Sequence, residues 1–124
     1  MLRILSFTKT GTELNEKLCK KLNNDFCAGY APKRILGRNE ELTYLPENIP
    51  EWIQEHWSVD DFLFIGAAGI AVRMIAPSVK DKYTDSAVLV MDEKAQHIIP
   101  VLSGHMCGAI PLSEQIADFT GAIP

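Results

Sequence analysis

Two short stretches hold the residue types best suited to chemistry, Gly66-Ala67-Ala68-Gly69-Ile70-Ala71-Val72-Arg73 and Ser103-Gly104-His105. The first leaves peptide N–H groups uncovered by side chains where a helix should begin, with an arginine one helical turn on. Amides, the positive helix end and a guanidinium together suit an anion, a carboxylate above all. The second sets a hydroxyl beside an imidazole, which titrates near neutral pH and can take a proton from water. Ser103 next to a base also permits a nucleophile, although no Gly-x-Ser-x-Gly elbow surrounds it. Lys80-Asp81-Lys82 and Thr84-Asp85 follow the glycine turn closely. Alternating charges of this kind are ordinarily solvated loop, yet beside Arg73 they would serve a ligand with several carboxylates.

The glycine turn lacks the third glycine of the dinucleotide fingerprint and the Gly-Lys-Ser/Thr of a phosphate loop, so a nucleotide is poorly supported. Close packing of a helix on a strand would also select small residues there.

Both stretches follow apolar runs that read as buried strands and precede runs that read as helices. If those strands are parallel neighbours, both loops open at one edge of the sheet, where open α/β folds place ligands. Leu2–Phe7 reads as a strand covered on both faces. Thr10 and Glu13 stand at capping-box spacing, and Leu14, Leu18 and Leu22 form the buried stripe of a helix. Glu13/Lys17 and Glu16/Lys20 pair on its outer face, and Asn23-Asn24 ends it. Residues 26–45 are broken by Gly29, Pro32 and Gly37 and give no clear element; Arg34 and Arg38 there read as solvated surface. Pro50, Trp52, Ile53, His56 and Trp57 indicate a second helix, with His56 as a partly buried, hydrogen-bonded histidine. Phe62–Ile65 is a strand, Ile70–Ala76 a short helix stopped by Pro77, and Ala87–Met91 another strand. Asp92–Ala95 reads as a turn and His97–Leu102 as a returning strand, which allows an antiparallel hairpin and a mixed sheet. A last helix spans Ile110 to Phe119 and closes at Gly121; Ala122-Ile123-Pro124 looks like the first residues of a further strand. The expected architecture is a single three-layer α/β domain with a mainly parallel sheet, helices on both faces and room for one antiparallel hairpin.

At 124 residues, 47% of them hydrophobic, the chain can bury one core. A net charge of −4 argues against nucleic acid or an anionic membrane as the general partner. No run approaches a membrane span, and no secretory signal is evident. Cys19, Cys27 and Cys107 are odd in number and have no CxxC spacing, which argues against a disulfide framework or zinc site and fits a reducing cytoplasm. Cys107 near a helix start reads as a small buried hydrophobe before it reads as a reactive thiol.

The ordered series from Gly66 to Arg73, Ile75-Ala76-Pro77, Lys80-Asp81-Lys82, Thr84-Asp85, Ala87-Val88, Asp92-Glu93 and Leu102-Ser103-Gly104-His105 resembles the N-terminal domain of the CbiG family of cobalamin biosynthesis, the cobalt-precorrin-5A hydrolases. The likeness spans residues 62–124; residues 1–61 match only in their strand–helix start. It implies a hydrolase that opens the lactone ring of a cobalt-bearing tetrapyrrole and releases acetaldehyde. The alternative is a non-catalytic tetrapyrrole-binding domain. Family members normally continue into a middle and a C-terminal domain, which this chain lacks; those domains or other corrin-pathway enzymes would be its partners. On that reading His105 is the base and Asp81 orients it or replaces it. Gly66, Ala67, Ala68, Gly69, Arg73, Lys80, Lys82, Ser103 and Gly104 would bind the polyanionic substrate, with loop amides as oxyanion donors. Cobalt would arrive with the substrate, so no metal ligand or cofactor of the protein's own is expected.

Overall fold

Alternation of apolar side chains decides the layers. On β1 (Leu2–Ser6), Leu2 and Ile4 face one cluster with Leu18 and Leu22, while Leu5 faces the other with Ile53. On β4 (Asp61–Ile65) the same split separates Leu63 and Ile65 from Phe62 and Phe64. A strand apolar on both sides must be covered on both sides. The chain does this with helix α1 (Lys9–Lys21) and α5 (Ala109–Thr120) on one face, and α3 (Ile49–His56) and α4 (Ala68–Ile75) on the other. Phe62 and Phe64 are fully buried and each stabilises the fold by roughly 1.5–3 kcal/mol. The computed structural model describes residues 1–22, 26–38, 41–102 and 108–124.

The sheet has six strands in the order β3-β2-β1-β4-β5-β6, where β2 is Cys27–Ala31, β3 Thr43–Tyr44, β5 Val88–Met91 and β6 Ile98–Leu102. All neighbours are parallel except β5 and β6, which form the antiparallel hairpin. The direction of winding reverses between β1 and β4, so the switch-point crevice lies beyond Ser6 and Ile65. Beyond β6, Ile123 makes one parallel bridge to His97, with Ile98 N–H donating to Ile123 O (2.8 Å) and Ile123 N–H to Gln96 O (2.8 Å).

Two details differ from expectation. Helix α1 starts earlier, because Thr8 is its N-cap and its Oγ1 accepts from Gly11 N–H at 3.1 Å. Residues 26–45 hold β2, the short helix α2 (Lys33–Leu36) and β3. Strand β2 was obscured by its small residues, and Gly29 explains them: a Cβ there would come within 2.6 Å of Asn15 Oδ1 and 2.8 Å of Cys19 Sγ. Asn15 is buried there and its Nδ2 donates to Ile4 O, Ser6 Oγ and Tyr30 O, tying α1 to β1 and β2. Asn23 and Asn24 lie outside the described residues; the helix ends at Lys21.

Candidate functional site

The carboxyl edge of the parallel strands carries the glycine turn. Gly66 has φ = 149°, a conformation side chains rarely permit, and its N–H donates to Met91 O at 2.8 Å. It is therefore a structural turn, and its amide is not open to a ligand. The amides of Ala67, Ala68 and Gly69 donate to no acceptor among the described residues, as expected for a first helical turn. Gly69 differs from Gly66: a Cβ built on it would meet nothing within 4 Å. Helix packing therefore does not require a glycine at this position, and Ala67, Ala68 and Gly69 are all exposed. Ile70 and Val72, on either flank of the buried Ala71, are 42% and 49% exposed.

Across the crevice, Phe7 Cδ2 lies 3.9 Å from the position of a Gly66 Cβ, so the two loops are side by side. Thr8 Oγ1 donates to Glu93 Oε1 at 2.7 Å, and Arg34 Nη2 donates to Phe7 O at 3.3 Å. Arg34 was read as plain solvated surface. Thr8 is not among the residues the sequence marks, and Glu93 is marked only within the family series, because strands far apart in sequence bring the two together here. Arg73 lies on the last turn of α4, about 6 Å along the axis from Gly69. It is exposed and makes no ion pair with a described residue.

The opposite edge carries the charged loop. Asp85 is buried and accepts from Trp57 Nε1 at 2.9 Å, from Lys80 N–H (3.0 Å to Oδ2) and from Asp81 N–H at 3.1 Å. Burial pushes this carboxyl up, and those bonds outweigh it and hold it below the usual carboxylate range. Asp61 Oδ1 accepts from Ala87 N–H at 2.9 Å. Lys80, Asp81 and Lys82 are exposed; Asp81 Oδ1 accepts from Tyr83 N–H at 2.9 Å, and Lys82 Nζ lies 5.1 Å from the Tyr83 ring centre. His56 Nδ1 sits 3.1 Å from Asp60 Oδ2, which also accepts from Arg3 Nε (3.1 Å) and Nη2 (2.9 Å).

The strand leading to Ser103 corrects the expected shared rim. The turn after Asp92 reverses the chain, so β6 runs against β5 and Leu102 pairs with Val88, itself paired with Phe62. Phe62 lies three residues, roughly 10 Å of strand, from the edge where Gly66 begins. The strands before the two motifs thus end at opposite edges. Ser103, Gly104, His105 and Cys107 lie outside the described residues. The structure brings Gly66, Ala67, Ala68 and Gly69 together at one edge, Lys80, Asp81 and Lys82 at the other, with Arg73 between. A cleft of about 490 Å³ lies elsewhere, between α1 and α5, lined by Thr10, Leu14, Lys17, Glu93, Lys94 and Phe119 among others. Among the described residues no group of three or more His, Cys, Asp or Glu could hold a metal ion, and no helix is long and apolar enough to cross a membrane.

An open doubly wound α/β domain with a glycine turn beside its switch point defines the class. Residues 51–124, well over half of the chain, match the family described as cobalamin synthesis G N-terminal, and the chain belongs to that family. It is 55% identical over 62 residues to a cobalt-precorrin-5A hydrolase of Salmonella typhimurium, covering 50% of this chain and 18% of the relative. A cobalt-precorrin-5A hydrolase of Priestia megaterium is 46% identical over 67 residues, covering 54% of this chain and 18% of that protein. The chain thus matches about a fifth of the length of these curated relatives. The crystal structure of a cobalamin biosynthesis protein G homologue from Sulfolobus solfataricus superposes on 99% of this chain and 35% of its own, with a TM-score of 0.74 at 23% identity. That likeness supports the fold.

Proposed function

We propose that this chain supplies the N-terminal α/β portion of a cobalt-precorrin-5A hydrolase, binding the cobalt–tetrapyrrole and taking part in opening its lactone ring with release of acetaldehyde. The observation that carries the reading is 55% identity over 62 residues to a relative of that name. The surface chemistry supports it: open amides at Ala67–Gly69 and the cations Arg73, Lys80 and Lys82 suit a ligand bearing several carboxylates. His105 is our proposed general base and Asp81 its positioning partner or substitute; cobalt comes with the substrate. Lactone opening also requires donors for the developing oxyanion; because β6 ends at the edge opposite the glycine turn, the amides of the Ser103–Gly104 turn are our candidates, and those of Ala67, Ala68 and Gly69 would hold a carboxylate arm instead.

The opposed directions of β4 and β6 favour a second reading, in which the glycine edge holds the macrocycle and the rest of the protein does the chemistry. Incubation of the chain with cobalt-precorrin-5A, with acetaldehyde assayed and binding followed by absorbance, separates the two. Release that disappears in His105→Ala supports catalysis by this chain. Binding without release moves the chemistry to other domains, and no binding removes both readings.

A further inference from the structure

Beneath the end of α4 lies a cleft of about 330 Å³, lined by Gln54, Trp57, Pro77, Ser78 and Lys80. Ser78 ends the 3-10 turn that follows α4 and is only 2% exposed. Its Oγ is the buried side-chain polar atom that has no hydrogen-bond partner among the described residues. A buried hydroxyl left unsatisfied costs about 1–3 kcal/mol, so a rotation of the Ser78 side chain that turns Oγ to an acceptor in the cleft would be favoured. The surrounding groups define that acceptor. Lys80 brings a positive charge on a backbone fixed by its N–H to Asp85. Gln54 Nε2 reaches Pro77 O only at 3.5 Å, which leaves its second amide hydrogen for a ligand. Trp57 is held by stacking on Phe62, with centroids 5.8 Å apart, and by its bond to Asp85; with Pro77 it offers apolar wall. The nearby negative charge, Asp85, is already answered by the indole and two amides.

We propose that this cleft is a carboxylate subsite in which Ser78 and Lys80 hold one acid arm of the polycarboxylate macrocycle, its methylenes against Trp57 and Pro77. The assignment rests on the substrate reading above and extends it to residues of α3 and the turn after α4.

The test uses propionate as the probe, titrated into the ¹⁵N-labelled chain at constant ionic strength while the Trp57 indole and Lys80 amide signals are followed. A saturable shift is expected, weakened at least tenfold in Ser78→Ala and in Lys80→Ala. Ser78→Ala should also raise the melting temperature, because it removes an unsatisfied buried hydroxyl. No saturable shift, or equal affinity in Ser78→Ala, overturns the subsite, as does a fall in melting temperature, which would mean that the hydroxyl has a protein partner. A parallel titration with cobalt-precorrin-5A keeps the two claims apart. Propionate bound at the cleft without macrocycle binding defeats the substrate reading alone. Macrocycle binding equal in wild type and Ser78→Ala defeats the subsite alone.

Discussion

The loops entering and leaving α4 handle exposed backbone in opposite ways. In the loop that leaves, Val79 to Ser86, a buried carboxylate answers the amides: Asp85 takes Lys80 and Asp81 N–H and the Trp57 indole as well. In the loop that enters, the amides of Ala67, Ala68 and Gly69 find no acceptor among the described residues, and a Cβ on Gly69 would meet nothing within 4 Å. The first loop is finished by the protein itself. The second leaves its first-turn amides without an acceptor among the described residues, and variants in the two loops can test that difference.

Asp85→Ala probes the finished loop and should have the largest effect. It strips three donors of their acceptor in a buried place, at a cost of about 3 kcal/mol, read as a lower midpoint in urea unfolding. The same variant should flatten the acid limb of stability. A carboxyl held below its usual range stabilises fully above its unfolded value near 3.9 and loses that contribution as pH falls through the folded value. Wild-type stability should therefore drop more steeply below about pH 4 than that of Asp85→Ala. An equal acid limb would show that Asp85 is not the anchor.

Within the unfinished loop, the two glycines should respond with opposite sign. Gly66→Ala forces a side chain onto φ = 149° and should destabilise by roughly 2 kcal/mol. Gly69→Ala meets no neighbour and gains helix propensity, so it should stabilise by about 0.5 kcal/mol while weakening any ligand that approaches the loop. Thermal unfolding of the pair reads both. Loss of stability in Gly69→Ala would return that glycine to a packing role.

The smallest effect concerns Cys19, whose thiol burial and the adjacent Cys27 push up to about 12. It should resist iodoacetamide at pH 8 in the folded chain and react on unfolding, as counted by mass spectrometry.

The strands β1, β4 and β5 were legible because doubly covered strands are continuous apolar runs, and α5 because its stripe ends at a glycine. Gly121 indeed closes that helix at φ = 79°. Strand β2 was illegible because Cys27-Ala28-Gly29-Tyr30-Ala31 has a glycine at its centre, required by Asn15 and Cys19 of a helix earlier in the chain and by Leu42. The glycine turn was recognisable, but not its division of labour; that Gly66 spends its N–H on Met91 is set by pairing across β5. Edge placement failed for a different reason. The short Asp92–Ala95 turn did point to an antiparallel hairpin, since a parallel return needs a far longer crossover. A strand so reversed, its turn pinned by Asp92 to Lys94, Gln96 and His97, ends at the edge opposite Gly66, which the expected shared rim overlooked.

The single bridge between His97 and Ile123 also bears on self-association. A parallel strand lengthened past Ile123 would next seek an N–H from residue 100, and Pro100 has none. The outer rim of β6 therefore accepts one rung and refuses the following one. A rim interrupted in this way is a poor template for stacking copy upon copy into fibrils, even with Ile99 and Ile123 turned to water.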